Sequence, residues 1–472
     1  MYHRIKFLIP VLAALGAATS EVGAQSGLFV TTTDYQSGSA AFLAPGATEA
    51  EVNLLNVHSD AVARYHNGRI YVINRLGQDN VLVLDPNSLH TPVLQFSTGN
   101  GTNPQDIAIV APNKAYVSRY DSAELLIVDP QTGAERGTVD LGAFADADGL
   151  PEMSAMVQLG ARVYVACQRL DRNSGFAPAG DSYLAVIDTD TDELIDMDLG
   201  ADGVQGIRLA AANPYSVVAI GHQIVLSEAA GFGDQKGGIE VIDVDSGTSH
   251  GLVVTETQLG GDVTALAMVD QEKGYAIVSD ANFANFVKPV DLKSGAVGAA
   301  LEGHSHGFTP DLAIDGGRLI VADRGTFDNP AAAGLLIYDV ATEALLVGPI
   351  STGLPPSSIA VMAAAETSTA VQEEAGTLPQ QTSLGNAYPN PFNGGTQIPF
   401  VVASAEVRVT LVLYDALGRK VRTLVNGFLP MGAHVVTWDG LDEVGTAMGN
   451  GFYLAELRAG SARTTGKLML LK

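Results

Sequence analysis

One short phrase recurs along the chain: an apolar strand that ends in aspartate, then a polar turn. It reads VLVLDPNS at Val81–Ser88, LLIVDPQTG at Leu125–Gly133 and LAVIDTDTD at Leu184–Asp192. It returns as IEVIDVDSG at Ile239–Gly247, VKPVDLKSG at Val287–Gly295 and LLIYDVATE at Leu335–Glu343. The six copies stand 44 to 59 residues apart. Repeats of that length are supersecondary units that stack, because one unit cannot bury its apolar face alone.

Pro104–Leu141 shows the grammar of the unit. PQDIAIV is a short apolar strand, KAYVSRY alternates, ELLIVDP is a third strand, and ERGTVDL is a more polar fourth. Asn, Asp, Pro and Gly punctuate them. Four short antiparallel strands make the blade of a β-propeller. No stretch sustains the i, i+3, i+4, i+7 spacing of a helical repeat. The second strand recurs as RIYVINR (69–75), KAYVSRY (114–120), RVYVACQ (162–168), SVVAIGH (216–222), GYAIVSD (274–280) and RLIVADR (318–324). A seventh copy, LFVTTTD (28–34), has no first strand before it, and PSSIAVM (356–362) is a first strand with no second after it. Joining the two completes a seventh blade and removes the open edges of a linear array. The expected fold is all-β: a seven-bladed β-propeller over 25–362, followed by an Ig-like β-sandwich.

The YV of the second strand and the VIDxxTG pattern after the third resemble the YVTN-repeat, YncE-like propellers over most of residues 27–362. The resemblance implies the fold. It leaves function open, because related propellers include lactonases, surface-layer proteins and binding scaffolds.

The flanks set the compartment. Residues 1–24 read as a signal peptide: Arg4 and Lys6 precede the apolar run Phe7–Ala18, and Val22-Gly23-Ala24 is a small-residue cleavage site. That run is too short to span a bilayer, and no later segment is long and apolar enough, so the mature chain is expected to be exported without a transmembrane segment. The single cysteine, Cys167, excludes an intramolecular disulfide and reads as a buried thiol in its strand. Of the net charge of −26, the segment 25–362 accounts for all, with 16 basic and 42 acidic residues. So acidic a domain argues against nucleic acid and anionic membrane surfaces as partners. Solubility, or life in salt, is the leading explanation of the charge, and an acidic binding site is the alternative.

Residues 363–383 have few large apolar side chains and read as a linker. From Leu384 the composition changes, and seven or so short strands in the remaining residues suggest the sandwich. This module (384–472) resembles the FlgD-like C-terminal sorting domains of type IX secretion. The matching residues are Pro389, Asn390, Pro391, Phe392 and Asn393; Tyr414-Asp415 with Gly418-Arg419; Trp438, Asp439 and Gly440; and Gly451 with Tyr453. The resemblance implies delivery to the outer cell surface or the medium by an outer-membrane secretion machinery, often with removal of the module. An Ig-like spacer that stays on the mature protein is the alternative.

Two places on the propeller are candidates for chemistry. First strands line the central channel, and the segments leading into them carry Asp60, Asp106, Asp262 and Asp311, with His58, Gln205 and His306 near. Converging carboxylates hold hard cations, so Ca²⁺ is the cofactor to consider, and the two histidines would suit a softer metal. A metal there would make a metal-dependent propeller enzyme, a lactonase or lyase. The same aspartates also suit turns and backbone amides where the chain enters each strand. The acidic run from Asp188 fails as a calcium loop, since Glu193 stands where glycine is needed. No GxSxG, HExxH or phosphate-loop motif occurs. The second place is a set of insertions between second and third strands, at Arg169–Ser182, Ser227–Gly238 and Arg324–Gly334. They share one topological position and so one face, where Phe176, Phe232 and Phe327 would anchor a protein or glycan, or staple their own loops. The leading expectation is a surface or secreted binding scaffold, ahead of the enzyme and of a mainly structural envelope protein.

Overall fold

A computed structural model describes residues 26–362 apart from 199–202 and 245. It also describes 382–470 apart from 386, 388–389, 391, 393–394, 404–406, 416–417, 430–431 and 461. The expected signal peptide and nearly all of the linker lie outside the described residues, as do Pro389, Pro391 and Asn393.

Residues 27–362 form six four-stranded antiparallel sheets and one three-stranded sheet, besides a two-stranded ribbon in one loop. In chain order the innermost strands are Ala61–His66, Pro104–Ala111, Met153–Leu159, Pro214–Ile220, Asp262–Met268, Leu312–Asp315 and Pro356–Met362. Each packs on the next, and the last packs on the first, so the sheets close a ring as a β-propeller. The closure is the one the two chain ends suggest: Gly27–Thr33 pairs antiparallel with Pro356–Met362, from Gly27 opposite Met362 to Thr32 opposite Pro356.

Seven apolar clusters each join two neighbouring sheets. The alternation of each strand sets this up. In Arg69–Asn74, Ile70 and Val72 pack on the preceding sheet, while Tyr71 and Ile73 pack on the following one. A strand buried on both faces must be apolar throughout, which is why the second and third strands read as near-continuous apolar runs.

The recurrent aspartate has a local role. Asp85, Asp129, Asp188, Asp243, Asp291 and Asp339 accept backbone N–H groups two or three residues on, at 2.8 to 3.0 Å. These Asx turns close the hairpin to the fourth strand. The donated amides hold the carboxyls of Asp85, Asp188 and Asp291 below the ordinary range, and the Thr342 hydroxyl followed by its amide does the same for Asp339.

One strand falls elsewhere than expected. Residues 216–222 belong to the first strand of their sheet and the turn after it, not to the second strand, which is Gln223–Glu228. The chain turns at Gly221, whose φ of 60° suits glycine, and the flanking VVAI and IVLS runs are equally apolar.

The C-terminal residues form two sheets, of three strands (383–384, 396–402, 432–438) and of four (420–429, 407–415, 451–459, 462–470). They enclose a core around Trp438, Phe392 and Tyr453. Trp438 lies 5.2 Å from Phe392 and 4.9 Å from Tyr453, ring centre to ring centre.

Candidate functional site

In each four-stranded sheet the second and fourth strands run in the same sense. The loop from second to third strand and the segment leading into the next first strand therefore leave from one edge of the ring. Contacts across these loops agree. The Arg75 guanidinium bridges Asp60 at 2.6 Å and Gln105 at 2.6 Å. Arg172 reaches Asp121 at 2.6 Å and Glu152 at 3.2 Å. Arg324 donates to the Thr33 carbonyl at 2.8 Å and stacks 4.3 Å from the Tyr35 ring centre.

This edge carries every exposed aromatic side chain among the described residues of 26–362: Tyr35, Phe176, Tyr215, Phe232, Phe283, Phe308 and Phe327. Phe283 is 79% and Phe327 100% exposed, so neither staples its loop. Tyr215 and Phe232 meet edge to face at 5.7 Å. Tyr35, Phe176 and Phe283 hold φ values of 70°, 62° and 61°. Bulky residues rarely adopt that left-handed conformation, and such strain concentrates at functional loops. Phe176 and Phe232 are about half exposed, so all three anchors expected from sequence face solvent on this edge. Tyr35, Tyr215, Phe283 and Phe308 escape a search of insertions between second and third strands: Tyr35 and Phe283 sit in short loops there, Tyr215 lies at the start of the first strand Pro214–Ile220, and Phe308 lies in the segment leading into the first strand Leu312–Asp315. The signal for Tyr35 and Phe283 is an aromatic beside Asp34 or Asn282 between second and third strands, and for Tyr215 and Phe308 an aromatic near Asn213 or Gly307 where the chain enters a first strand.

The loop that carries Phe232 is tied down by buried carboxylates. Asp262 accepts the Gly233 amide at 2.8 Å, and Glu256 accepts the Gly237 amide at 2.9 Å. Burial pushes the Glu256 carboxyl up to about 7, and that of Glu152 likewise to about 7. Nearby, Glu228 and Glu240 are both buried, and burial beside a second carboxylate raises Glu228 well above its ordinary value.

The channel residues make other bonds. Asp106 accepts the amides of Ile107 at 2.9 Å and Met156 at 3.0 Å, and Arg64 Nε at 2.8 Å. Asp311 repeats the pattern on Leu312 at 2.9 Å and Ile359 at 2.8 Å. Each aspartate thus ties its own first strand to the next. Asp60 is paired with Arg75, and His58 accepts the Asp60 amide through Nδ1 at 3.1 Å. The His306 ring lies on Phe286 at 4.7 Å, and its own amide donates to His304 Nδ1 at 2.9 Å. Gln205 lies in the hairpin before the fourth strand Ile207–Arg208, away from the channel. No three of the six expected ligands lie within ligating distance of one another, although Asp106 and Asp311 both face Arg64. Among the described residues the one group of three such side chains within ligating distance is Asp146, Asp148 and Glu152. The Arg172 guanidinium already lies 3.4 Å from Asp148 and 3.2 Å from Glu152. Cys167 is buried and its thiol is pushed up to about 12 by burial.

In the C-terminal module the described motif residues hold the fold. Asn390 pairs with the last strand through Lys467 and Met469, and Trp438 Nε1 donates to the Leu441 carbonyl at 2.8 Å. Asp439 pairs with Arg422 at 2.5 Å, Tyr453 donates to the Gly449 carbonyl at 2.7 Å, and Gly440 turns the chain at φ 71°. Gly451 begins the strand that carries Tyr453.

Residues 385–463 match the FlgD Ig-like domain family. No curated protein matches the chain. Among solved structures it is similar to PorZ, an essential bacterial surface component of the type-IX secretion system of Porphyromonas gingivalis, at 13% identity and a TM-score of 0.43. That similarity covers 92% of this chain but only 63% of PorZ. It is also similar to BamB from Moraxella catarrhalis, at 14% identity and a TM-score of 0.39, over 63% of this chain and 79% of BamB. No helix among the described residues is long and apolar enough to cross a membrane.

Proposed function

We propose that this is an exported surface or secreted protein whose seven-bladed propeller, of the YncE-like kind, binds a partner through its aromatic loop edge. Its C-terminal module is a type IX-like sorting domain that delivers it. One observation carries the binding reading: the exposed aromatics of the propeller all stand on one edge, two of them almost fully in solvent. Apolar groups gathered on one face of a soluble scaffold mark an interaction surface. Delivery is supported by the leader pattern in residues 1–24, the PNPFN…WDG…GxY order and the FlgD Ig-like match.

Two measurements test it. The intact mass of protein recovered from its native cell surface should lack residues 1–24, and the C-terminal module wherever sorting ends in cleavage. A surface protein carrying both segments would sink the delivery reading. Immobilised mature protein should capture a defined component from the envelope fraction, and Phe176→Ala with Phe232→Ala and Phe327→Ala should abolish capture without changing the circular dichroism. Undiminished capture would move the binding surface elsewhere.

A further inference from the structure

The aromatics of the loop edge do not stand alone. In five of the loops between second and third strands, an exposed aromatic has an aspartate within five residues: Asp34 with Tyr35, Asp171 with Phe176, Asp234 with Phe232, Asp280 with Phe283 and Asp328 with Phe327. These five loops belong to four consecutive sheets of the ring and the sheet that closes it. Asp171, Asp280 and Asp328 make no salt bridge among the described residues. The cations of the same edge are already engaged. Arg75 holds Asp60, Arg172 holds Asp121 and Glu152, and Lys236 holds Asp234 at 3.2 Å. Arg169 donates to the Asp181 carbonyl at 2.7 Å, and Arg324 to that of Thr33.

Arg324 covers a face of Tyr35 and Lys236 pairs with Asp234, so the loops that offer an exposed ring together with a carboxylate lacking a cation partner among the described residues are those of Phe176 with Asp171, Phe283 with Asp280 and Phe327 with Asp328, Asp171 and Asp280 also accepting amides of their own turns. An organic cation answers both at once, the charge meeting the carboxylate and the ring face together. From this we infer that the loop edge takes a basic polypeptide segment, rich in Lys or Arg, with successive side chains seated at successive loops. The inference rests on the loop-edge reading above and adds the chemistry of the partner. Charge complementarity selects this occupant: the 25–362 segment is so acidic that polyanions are repelled and cations are steered to it. Several weak aromatic–carboxylate sites on one rigid ring add by raising the effective concentration at each next site.

Calorimetric titration of the mature full-length protein with decalysine, at about 50 mM salt, tests the assignment. Saturable binding is expected. Phe232→Ala with Phe283→Ala and Phe327→Ala, which removes no charge, should weaken it about tenfold or more. Asp190→Asn with Glu193→Gln, on the opposite edge, should change it by less than about twofold. Equal loss in the two variants would mean that net charge alone gathers the peptide, and would overturn the assignment, as would no binding at all. Maltoheptaose is the second probe. Sugar binding lost in the aromatic variant, with decalysine inert, would overturn the cationic partner while leaving the loop edge as the binding surface. With both probes inert, partner capture that still depends on the aromatics would overturn the cationic partner alone; capture indifferent to them would overturn both.

Discussion

Replacing Asp106 by alanine should destabilise the ring between its second and third sheets. The carboxylate is almost wholly buried and accepts two main-chain amides, one from its own strand and one from Met156 of the next. Alanine leaves both donors without an acceptor, and a buried unsatisfied donor costs about 1–3 kcal/mol. The Arg64 side chain is 41% exposed and keeps the attraction of Asp311 when Asp106 is removed, so its release adds little. The expected loss is about 3 kcal/mol, and about 1–2 kcal/mol for Asp106→Asn, which keeps one acceptor oxygen. Urea denaturation can separate the propeller from the C-terminal module, because the single tryptophan, Trp438, reports only on the module. Far-ultraviolet circular dichroism follows the larger propeller. The propeller midpoint should fall while the fluorescence midpoint holds. A loss below about 0.5 kcal/mol would refute the argument from amide satisfaction. So would a propeller that Ca²⁺ stabilises in the wild type but not in Asp106→Ala, since ligation would then be the work of the carboxylate.

Other outcomes follow from the same structure. Glu152 and Glu256, raised to about 7 from 4.5, hold more protons folded than unfolded between those values, so propeller stability should fall as pH rises from 4.5 to 7 and level off above. Glu256→Gln should flatten that slope; a slope unchanged by the substitution would contradict the assignment. Phe283→Asn places a residue tolerant of left-handed backbone at φ 61°, so thermal stability should hold or rise slightly while decalysine binding weakens. A drop in melting temperature would show that the ring supports its loop. Phe392→Ala should cost the module about 3–5 kcal/mol and lower the fluorescence midpoint alone; a matching shift in the propeller would show that the two unfold as one. Cys167 should ignore a thiol reagent until the protein unfolds, and rapid labelling of the native state would contradict its burial.

The ring was legible because its turns are chemical. An aspartate after an apolar run, with Ser, Thr or Asn two or three residues on, specifies the hairpin at each repeat, and the missing first strand before Leu28 matches the surplus one at Pro356. Residues 216–222 were misplaced because two apolar strands of equal pattern meet at Gly221, and alternation does not number strands. The channel was less legible. That Asp106 and Asp311 face carboxylate-hungry amides depends on the neighbouring strand's height, which no spacing within one repeat encodes. The loop edge was half legible: topology puts all the insertions on one side, but whether a phenylalanine lies down on its loop or stands in water is decided by packing. Phe327 stands in water, whereas Phe144, also in a loop, is buried against Tyr183.

The strand that closes the ring, Pro356–Met362, is the last of its domain, and its partner Gly27–Thr33 is the first. A chain emerging from its N-terminus therefore holds an unfinished circle until residue 362 has appeared. Whatever follows residue 362 arrives only afterwards. A chain broken off before residue 356 lacks the closing strand and the C-terminal module together, so under the delivery role we propose for the module, only a circle able to close would carry the label.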